Sequence, residues 1–173
     1  MKTHRFRRVK NEHGKWTPFK VFIIHGRSND WRRVKRFIEG KLRFKTEVAG
    51  LSVMGGTIIS KIRNHVWHDC DCAVAILSAD DMLIDKTRNA RPNVLFEVGY
   101  CMGFFDLRYW EDDRLESVLL IREDKTTMPS DFAGIEYIPY SRAAGEGIGG
   151  TYDKLAVGLE NIYERVNQFF KDY

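Results

Sequence analysis

The sequence contains little of what marks secreted, membrane-spanning or disulfide-stabilised proteins. Its 173 residues include three cysteines, an odd number that does not suggest a disulfide framework. No apolar run approaches the roughly 20 residues that a membrane-spanning helix needs. The basic N-terminus, MKTHRFRRVK, is not followed by the apolar core of a signal peptide. These absences predict reduced thiols and a cytoplasmic protein that does not associate with membranes.

The motifs of several common ligand-binding classes are also absent. The chain has neither a Walker-type lysine motif nor a complete dinucleotide-binding glycine fingerprint, so neither ATP hydrolysis nor dehydrogenase chemistry is predicted. Zinc-finger spacing and an aromatic RNA-binding signature are missing as well, and the net charge is only +4. We therefore expect the basic residues of the N-terminal tail and of the segment 32–36 to be solvated, and nucleic acid is not an expected partner.

One segment, HVWHDCDC, brings potential metal ligands together. It contains His65, His68, Cys70 and Cys72. Cys72, however, begins an apolar stretch that we predict to be a strand, in which successive side chains point to opposite faces of a sheet. That geometry does not suit a shared ion, so the sequence predicts no metal site.

Strand and helix patterns alternate along the chain. The predicted strands are KVFIIHG, KTEVAG, CAVAILS, SVLLI and IEYIP. Four of the segments between and after these strands have helical periodicity, and one of the four is described in the next paragraph. One of these helices starts near Thr57, and ADDMLIDKTRNAR is predicted to be a polar loop. This alternation predicts an α/β fold, with a central parallel sheet covered by helices on both faces. We divide the chain into a basic arm, residues 1–19, and a single domain, residues 20–173.

The segment ARPNVLFEVGYCMGFF predicts a helix that Pro92 opens, where the missing N–H costs nothing. Its inward stripe comprises Val94, Leu95, Val98, Cys101, Met102 and Phe105. A second stripe beside it comprises Asn93, Glu97, Tyr100 and Phe104. An amide, a carboxylate and aromatic rings suit the wall of a cleft. The alternative is a surface glutamate paired with Arg91 or Arg88.

Several separated blocks together resemble one known family. The blocks are KVFIIHGRSND, GGTIISKI, CDCAVAILSADDM, ARPNVLFEVGYCMG and MPSDFAGIEYIP, in that order. They resemble the TIR-like domains of predicted nucleotide-binding proteins, which bacteria use as effectors in antiphage defence of the CBASS and Pycsar type. The resemblance covers roughly residues 20 to 140.

The resemblance implies a flavodoxin-like TIR fold and hydrolysis of NAD⁺ at the nicotinamide–ribose bond. NAD⁺ is then the substrate, and no further cofactor is expected. The catalytic glutamate of such enzymes falls on Glu97. Nicotinamide leaves NAD⁺ as a neutral ring and needs no general acid, so one carboxylate beside the ribose is enough to stabilise the developing positive charge. Phe96 and Tyr100 flank Glu97 and would strengthen this effect by removing water.

Other residues are assigned to substrate binding on the same resemblance. His25, Gly26 and Arg27 end the first strand, where backbone N–H groups could approach a phosphate and Arg27 could pair with the pyrophosphate. The alternative is a turn glycine and a surface arginine. Gly55 and Gly56 lie where TIR domains carry a mobile loop, and they form either a gate or only the turn before a helix.

The loop after the central strand supplies the remaining candidates. Ser78, Asp80 and Asp81 could contact the ribose or only order that loop. Arg91 and Asn93 flank the start of the glutamate helix and face the same space, although Arg91 could merely neutralise the glutamate.

The resemblance leaves several points open. Related hydrolases often carry an aromatic residue one turn before the glutamate, where this chain has Asn93; Phe22, Trp67 or Tyr100 could stack on nicotinamide instead. We expect self-association through TIR–TIR contacts, and a cyclic-nucleotide-sensing domain or protein as a further candidate partner. Two other functions remain: a nucleotide-binding or scaffolding module without catalysis, and a nucleoside deoxyribosyltransferase-like enzyme, which uses a similar fold and one glutamate.

Overall fold

The structure is a computed structural model that describes residues 6–48, 60, 63, 66, 70–109, 116–132, 134–143 and 147–170. The strands within these residues are β1 Arg8–Lys10, β2 Trp16–Pro18, β3 Lys20–His25, β4 Lys45–Val48, β5 Cys72–Leu77, β6 Asp81–Met82, β7 Arg88–Asn89, β8 Val118–Glu123, β9 Thr126–Thr127 and β10 Ile138–Tyr140. The α-helices are α1 Asp30–Phe37, α2 Pro92–Arg108 and α3 Tyr152–Phe169. Shorter helical segments are the π-helical Ile38–Leu42 and the 3₁₀ turns Ser130–Phe132 and Gly147–Thr151.

Five strands form one parallel sheet in the order β4-β3-β5-β8-β10. Counted in chain order within this sheet, the strands run 2-1-3-4-5, which is the flavodoxin-like arrangement. Every residue of β5, the central strand, is buried, because helices or loops cover both faces of the sheet. The predicted α/β fold class, with its parallel sheet, is confirmed.

Helices lie on both faces of this sheet. Val118 of β8 shares a cavity wall with Met102 of α2, whereas Gly158 of α3 packs against Leu119. Neighbouring residues of a strand point to opposite faces, so α2 and α3 lie on opposite sides of the sheet. The helix α1 lies on the α3 side, where Phe37 stacks on Tyr152 with ring centroids 4.2 Å apart.

The predicted core pattern of the helices agrees with the structure. On α2 the buried residues are Val94, Val98, Cys101 and Phe105, and on α3 they are Leu155, Leu159, Ile162 and Val166. Leu95 and Met102, which were also expected inside, are half-buried. The reason is that they lie at the margins of the apolar stripes, where a helix turns away from the sheet.

Two segments differ from the sequence prediction. The prediction that ADDMLIDKTRNAR is a polar loop is wrong in part. Within this segment β6 and β7 pair as an antiparallel hairpin, and β9 pairs in parallel with β7 to form a three-stranded sheet. Within the basic arm, β1 and β2 form a second hairpin, in which Val9 is fully buried. Tyr163 of α3 donates a hydrogen bond to the carbonyl of Arg8 in this hairpin.

The predicted helix starting at Thr57 lies almost wholly outside the described residues, although Ser60, Arg63 and Val66 are helical. None of the helices described is both long enough and apolar enough to cross a membrane.

Candidate functional site

The carboxyl ends of β3 and β5 mark the point where the strand order of the sheet reverses. Chain connections leave these two neighbouring strands toward opposite faces, which opens a crevice between the loops that follow them. The segment 25–30 forms one side of this crevice and the segment 78–81 forms the other. The predicted site residues on these two segments are therefore neighbours in space.

Gly26 allows these two loops to approach each other closely. A Cβ atom at this position would overlap Asp80 Oδ2 and lie 3.1 Å from Asp80 Cγ. Asp80 Oδ2 in turn accepts a hydrogen bond of 2.7 Å from the backbone N–H of Arg27. Asp80 thus orders the loop, and the Arg27 amide predicted to approach a phosphate donates to this carboxylate instead.

Asp81 lies between two arginines. Its Oδ1 is 3.4 Å from Arg27 Nη1, and its Oδ2 is 3.8 Å from Arg91 Nε. The side chain of Arg27 is 66% exposed, so a bound anion could reach its guanidinium. The two arginines therefore share one half-buried carboxylate at the edge of the crevice, and this arrangement holds both cations near one position.

Two further polar residues occupy the strand ends. Ser78 is 1% exposed, and its hydroxyl has no hydrogen-bond partner in the described part of the chain. His25 is half-buried; its ring stacks on Trp31 with centroids 4.9 Å apart, and its Nδ1 lies 2.7 Å from the carbonyl oxygen of Gly26. A buried hydroxyl without a partner is unusual in proteins and is typical of a position that meets water or a ligand.

Glu97 lies on one flank of α2, beside its buried stripe. The side chain is half-buried and makes no hydrogen bond or ion pair with any residue that the structure describes. Burial raises the pKa of its carboxyl group to about 7, although the positive charge of Arg91 opposes the rise. The predicted alternative, a surface glutamate paired with Arg91 or Arg88, does not occur: Arg91 lies next to Asp81, and Arg88 donates to the carbonyl of Ala79.

The remaining candidates differ in where they lie. Asn93 is exposed and Tyr100 is half-buried, both on the same side of α2 as Glu97. Phe22 is 1% exposed and belongs to the core, so it cannot stack on a ligand. Gly55, Gly56 and Trp67 lie outside the described residues.

A comparison with known protein families places this chain in one of them. The model for the TIR domain of CAP12/Pycsar effector proteins matches residues 20–142. The chain belongs to this TIR-domain family. The match contains both strand ends that form the crevice and the whole of α2.

The TIR domain is also similar to a curated bacterial protein. It is 33% identical over 135 residues to the uncharacterized protein YuaY of Escherichia coli strain K12. The alignment covers 73% of this chain and 41% of YuaY, so the chain spans less than half the length of that relative.

Cys101 of the TIR domain lies one turn after Glu97 on α2 and is fully buried. Burial raises the pKa of its thiol to about 12, and the nearby carboxyl of Glu97 adds to the effect. A thiol with this pKa stays protonated at neutral pH and is a weak nucleophile. Cys101 is therefore a core residue, as predicted.

Cys70 and Cys72 are also buried, and the two histidines of HVWHDCDC lie outside the described residues. Within the described residues, no group of three histidine, cysteine or acidic side chains is arranged to hold a metal ion.

A second group of residues, which the sequence pattern did not predict, lies at the carboxyl ends of the strands. Glu123, the last residue of β8, is 6% exposed and accepts a hydrogen bond of 2.8 Å from the backbone N–H of Ala79. Arg142 Nη2 lies 3.5 Å from Glu123 Oε2, and Arg142 Nε donates to Asp30 Oδ2 at 3.2 Å. The hydroxyl of Tyr140 donates to the same oxygen of Asp30 at 3.1 Å. The sequence does carry a signal for Glu123, because two charged residues, Arg122 and Glu123, directly follow the apolar run SVLLI.

Proposed function

We propose that this TIR domain hydrolyses NAD⁺ at the nicotinamide–ribose bond, with Glu97 as the catalytic residue. The observation that carries the proposal is the state of Glu97 in the structure. It is half-buried on α2 and has no hydrogen-bond or ion-pair partner among the described residues. A carboxyl group that is partly removed from water and left unpaired is destabilising for the fold, and such groups cluster at functional sites.

The reaction needs one carboxylate. The bond between ribose C1′ and the pyridinium nitrogen breaks, its electron pair moves to that nitrogen, and nicotinamide leaves as a neutral molecule. Positive charge develops at C1′, and ionised Glu97 stabilises it by direct electrostatic attraction. Water then adds to C1′ and loses a proton, so the products are ADP-ribose, nicotinamide and one proton.

The crevice between β3 and β5 supports binding of the rest of the dinucleotide. In flavodoxin-like folds, ligands bind outside the carboxyl ends of the strands, at the point where the strand order reverses. Arg27 and Arg91 place two guanidinium groups at this edge, each in contact with Asp81. We propose that the pyrophosphate takes the place of Asp81 as the partner of Arg27, and that the hydroxyl of Ser78 meets the ligand.

We further propose that the protein acts as an antiphage effector in the cytoplasm and that turnover depends on self-association. The match to a Pycsar effector family supports the first part. The tip of the β6–β7 hairpin supports the second, since Met82, Leu83 and Ile84 are 68%, 43% and 104% exposed. Adjacent exposed apolar side chains of this kind are typical of contact surfaces. A cyclic-nucleotide-sensing partner would supply the trigger.

The test is an assay of nicotinamide release from NAD⁺ over a series of protein concentrations. We expect turnover per molecule to rise with protein concentration. Glu97→Gln should reduce it by at least about a hundredfold, because the neutral amide lacks the negative charge that stabilises the developing cation. Glu164→Gln is the matched control, since Glu164 is an exposed glutamate on α3, on the other face of the sheet.

Continued turnover in Glu97→Gln would remove this residue from the mechanism. A wild-type protein that binds NAD⁺ but releases no nicotinamide at any concentration would favour a binding or scaffolding module. Release of a free base from deoxynucleosides but not from NAD⁺ would favour the deoxyribosyltransferase-like alternative.

A further inference from the structure

The connection between β8 and β10 leaves a cavity over the sheet. Parallel strands are usually connected through an α-helix, but the described residues between 124 and 137 form only the short strand β9 and one 3₁₀ turn. Beneath this connection lies a cavity of about 520 Å³, whose floor includes Leu77 of β5 and Leu120 of β8. Pockets that bind small molecules in proteins have volumes of roughly 300–1,000 Å³.

None of the residues that line this cavity is among those assigned to the proposed NAD⁺ site. A neighbouring cavity of about 440 Å³ shares Gly134 and Ile135 with it and extends to Met102 of α2. Met102 follows Glu97 by five residues, which is about 140° around a helix of 3.6 residues per turn. The buried stripe of α2 lies between the two, so Glu97 and the neighbouring cavity are on opposite flanks of the helix.

Arg122, in the wall of the cavity, is held in place by the protein. Its Nε donates a hydrogen bond of 3.0 Å to the carbonyl of Thr126, and its guanidinium carbon lies 4.5 Å from the centre of the Tyr137 ring. Neither contact neutralises the charge, and no carboxylate in the described part of the chain forms an ion pair with Arg122. A guanidinium that is fixed in position and lacks a counter-charge is a suitable partner for a carboxylate or phosphate.

The rest of the lining combines charge with apolar surface. Lys125 supplies a second cation, against the single carboxylate of Asp124. Met128 and Phe132 add apolar surface to that of the two leucines. A ligand that matches this lining has one anionic group for Arg122 and an apolar or aromatic body for the remainder.

We propose that this cavity binds a small amphipathic anion, a carboxylate or a phosphate ester with an apolar body, and that Arg122 binds the anionic group. The site does not depend on the proposed hydrolase activity. Binding is therefore measurable in wild-type protein and in Glu97→Gln alike. A result that contradicts one of the two proposals does not contradict the other.

The experiment titrates the protein with 4-phenylbutyrate and with phenyl phosphate, followed by calorimetry or by chemical shifts of the residues around Arg122. The neutral 4-phenylbutanamide has a similar body without the charge. We expect saturable binding of at least one anion and binding of the amide at least about tenfold weaker, because a charge-assisted hydrogen bond contributes more than a neutral one. Which anion binds identifies the natural anionic group as carboxylate or phosphate.

Two variants test whether the anion binds in this cavity. Arg122→Gln should weaken binding of the anion by about tenfold or more. Ser130→Asp, which adds a negative charge at an exposed position of the rim, should weaken it as well without touching the core. Arg36→Gln, an exposed arginine on α1, is the control and should leave affinity unchanged.

The proposal is overturned if neither anion binds saturably at millimolar concentration. It is also overturned if the neutral amide binds as tightly as the anions, or if folded Ser130→Asp and Arg122→Gln proteins both keep the wild-type affinity.

Discussion

At the scale of the residue, burial rather than a partner controls the charge of Glu97. Removing a carboxyl group from water favours its neutral form, and Arg91 offsets this only in part, since it lies against Asp81. Catalysis requires the opposite form, because only the carboxylate stabilises positive charge on ribose. The free protein therefore keeps Glu97 close to the balance between its two forms at neutral pH.

This balance predicts how activity depends on pH. Since burial raises the pKa of Glu97 to about 7, kcat/KM for NAD⁺ should rise as the pH increases from about 5.5 to 8, with a midpoint near 7. A steady-state profile of nicotinamide release measures it. A profile that falls over this range, or that is flat, would contradict a role for ionised Glu97.

A second prediction at this scale concerns Gly26. Gly26→Ala should displace the carboxylate of Asp80, break its hydrogen bond to Arg27 and misplace the crevice loops. We expect about a tenfold loss of kcat/KM and a loss of stability of only about 1 kcal/mol, because this hydrogen bond is exposed to solvent. Turnover and thermal unfolding are measured together.

Gly40→Ala is the matched control, since a Cβ there meets nothing within 4 Å. Equal activity of the two variants would show that close approach of the loops does not matter.

The helical period of the sequence places Glu97 on a flank of α2, but it does not reveal the partner of Arg91. Arg91 contacts Asp81 because Asp81 begins the β6–β7 hairpin, and that hairpin was predicted as a loop. A pair of side chains ten residues apart depends on the path of the chain between them. The unpaired state of Glu97 was therefore not predictable from spacing alone.

At the scale of the element, Glu123 connects β8 to the loop after β5. Its carboxylate accepts the backbone N–H of Ala79 and lies beside Arg142, which also contacts Asp30 at the start of α1. Contacts from four segments of the chain thus meet beside the proposed site. The effect on function is indirect, through the position of the segment 78–81.

Glu123→Ala should therefore act on stability and on substrate binding together. The buried N–H of Ala79 loses its acceptor, which costs about 2 kcal/mol in the free energy of unfolding. We expect KM for NAD⁺ to rise on the order of tenfold and kcat to change less, since Glu97 on α2 is not displaced. Urea unfolding and steady-state kinetics measure these quantities.

The control variant is Glu136→Ala, which removes an exposed glutamate in the connection between β8 and β10. If Glu123→Ala unfolded at the same urea concentration as this control, the carboxylate would have no structural role.

The elements that the sequence predicts well are those buried on both faces. β3 and β5 are runs whose burial is continuous or nearly so, and β8 begins with the apolar residues VLLI, so local pattern is sufficient for them. The two-residue strands β6, β7 and β9 have no such pattern. They form because Arg88 and Asn89 pair with Thr126 and Thr127, which are distant in sequence. The residues of a short polar segment give no sign of such a distant pairing.

At the scale of the whole molecule, two carboxyl groups within the described residues, in separate parts of the fold, have raised pKa values. Glu97 lies near the carboxyl ends of the strands, and Asp71 lies at their amino ends. Burial raises the pKa of Asp71 to about 6, opposed by a hydrogen bond of 2.8 Å from the backbone N–H of Lys20 and by the charge of Arg108. Both groups are therefore more easily protonated in the folded chain than in the unfolded chain.

The sign of the effect on stability follows from proton binding. Between about pH 4 and pH 7 the folded protein holds more protons on these two groups than the unfolded chain does, so the free energy of unfolding falls as the pH rises. The contribution is complete below the unfolded pKa values and is lost as the pH passes about 6 for Asp71 and about 7 for Glu97. The shift at buried Asp71 corresponds to on the order of 3 kcal/mol, and solvent screening makes the share of half-buried Glu97 smaller.

Urea unfolding at pH 5, 6, 7 and 8 tests this prediction, and a double variant isolates its source. The double variant Glu97→Gln, Asp71→Asn removes both titrations, so the change in the free energy of unfolding between pH 5 and pH 7 should largely disappear. The asparagine side-chain carbonyl can still accept the hydrogen bond from the backbone N–H of Lys20. Above pH 7 the double variant should be the more stable protein, because it no longer holds two buried charges. If the wild type instead gains stability from pH 5 to 7, or if the double variant keeps the wild-type slope, these groups do not control the pH dependence. Glu97 would then not be a residue that the fold retains at a cost to its own stability.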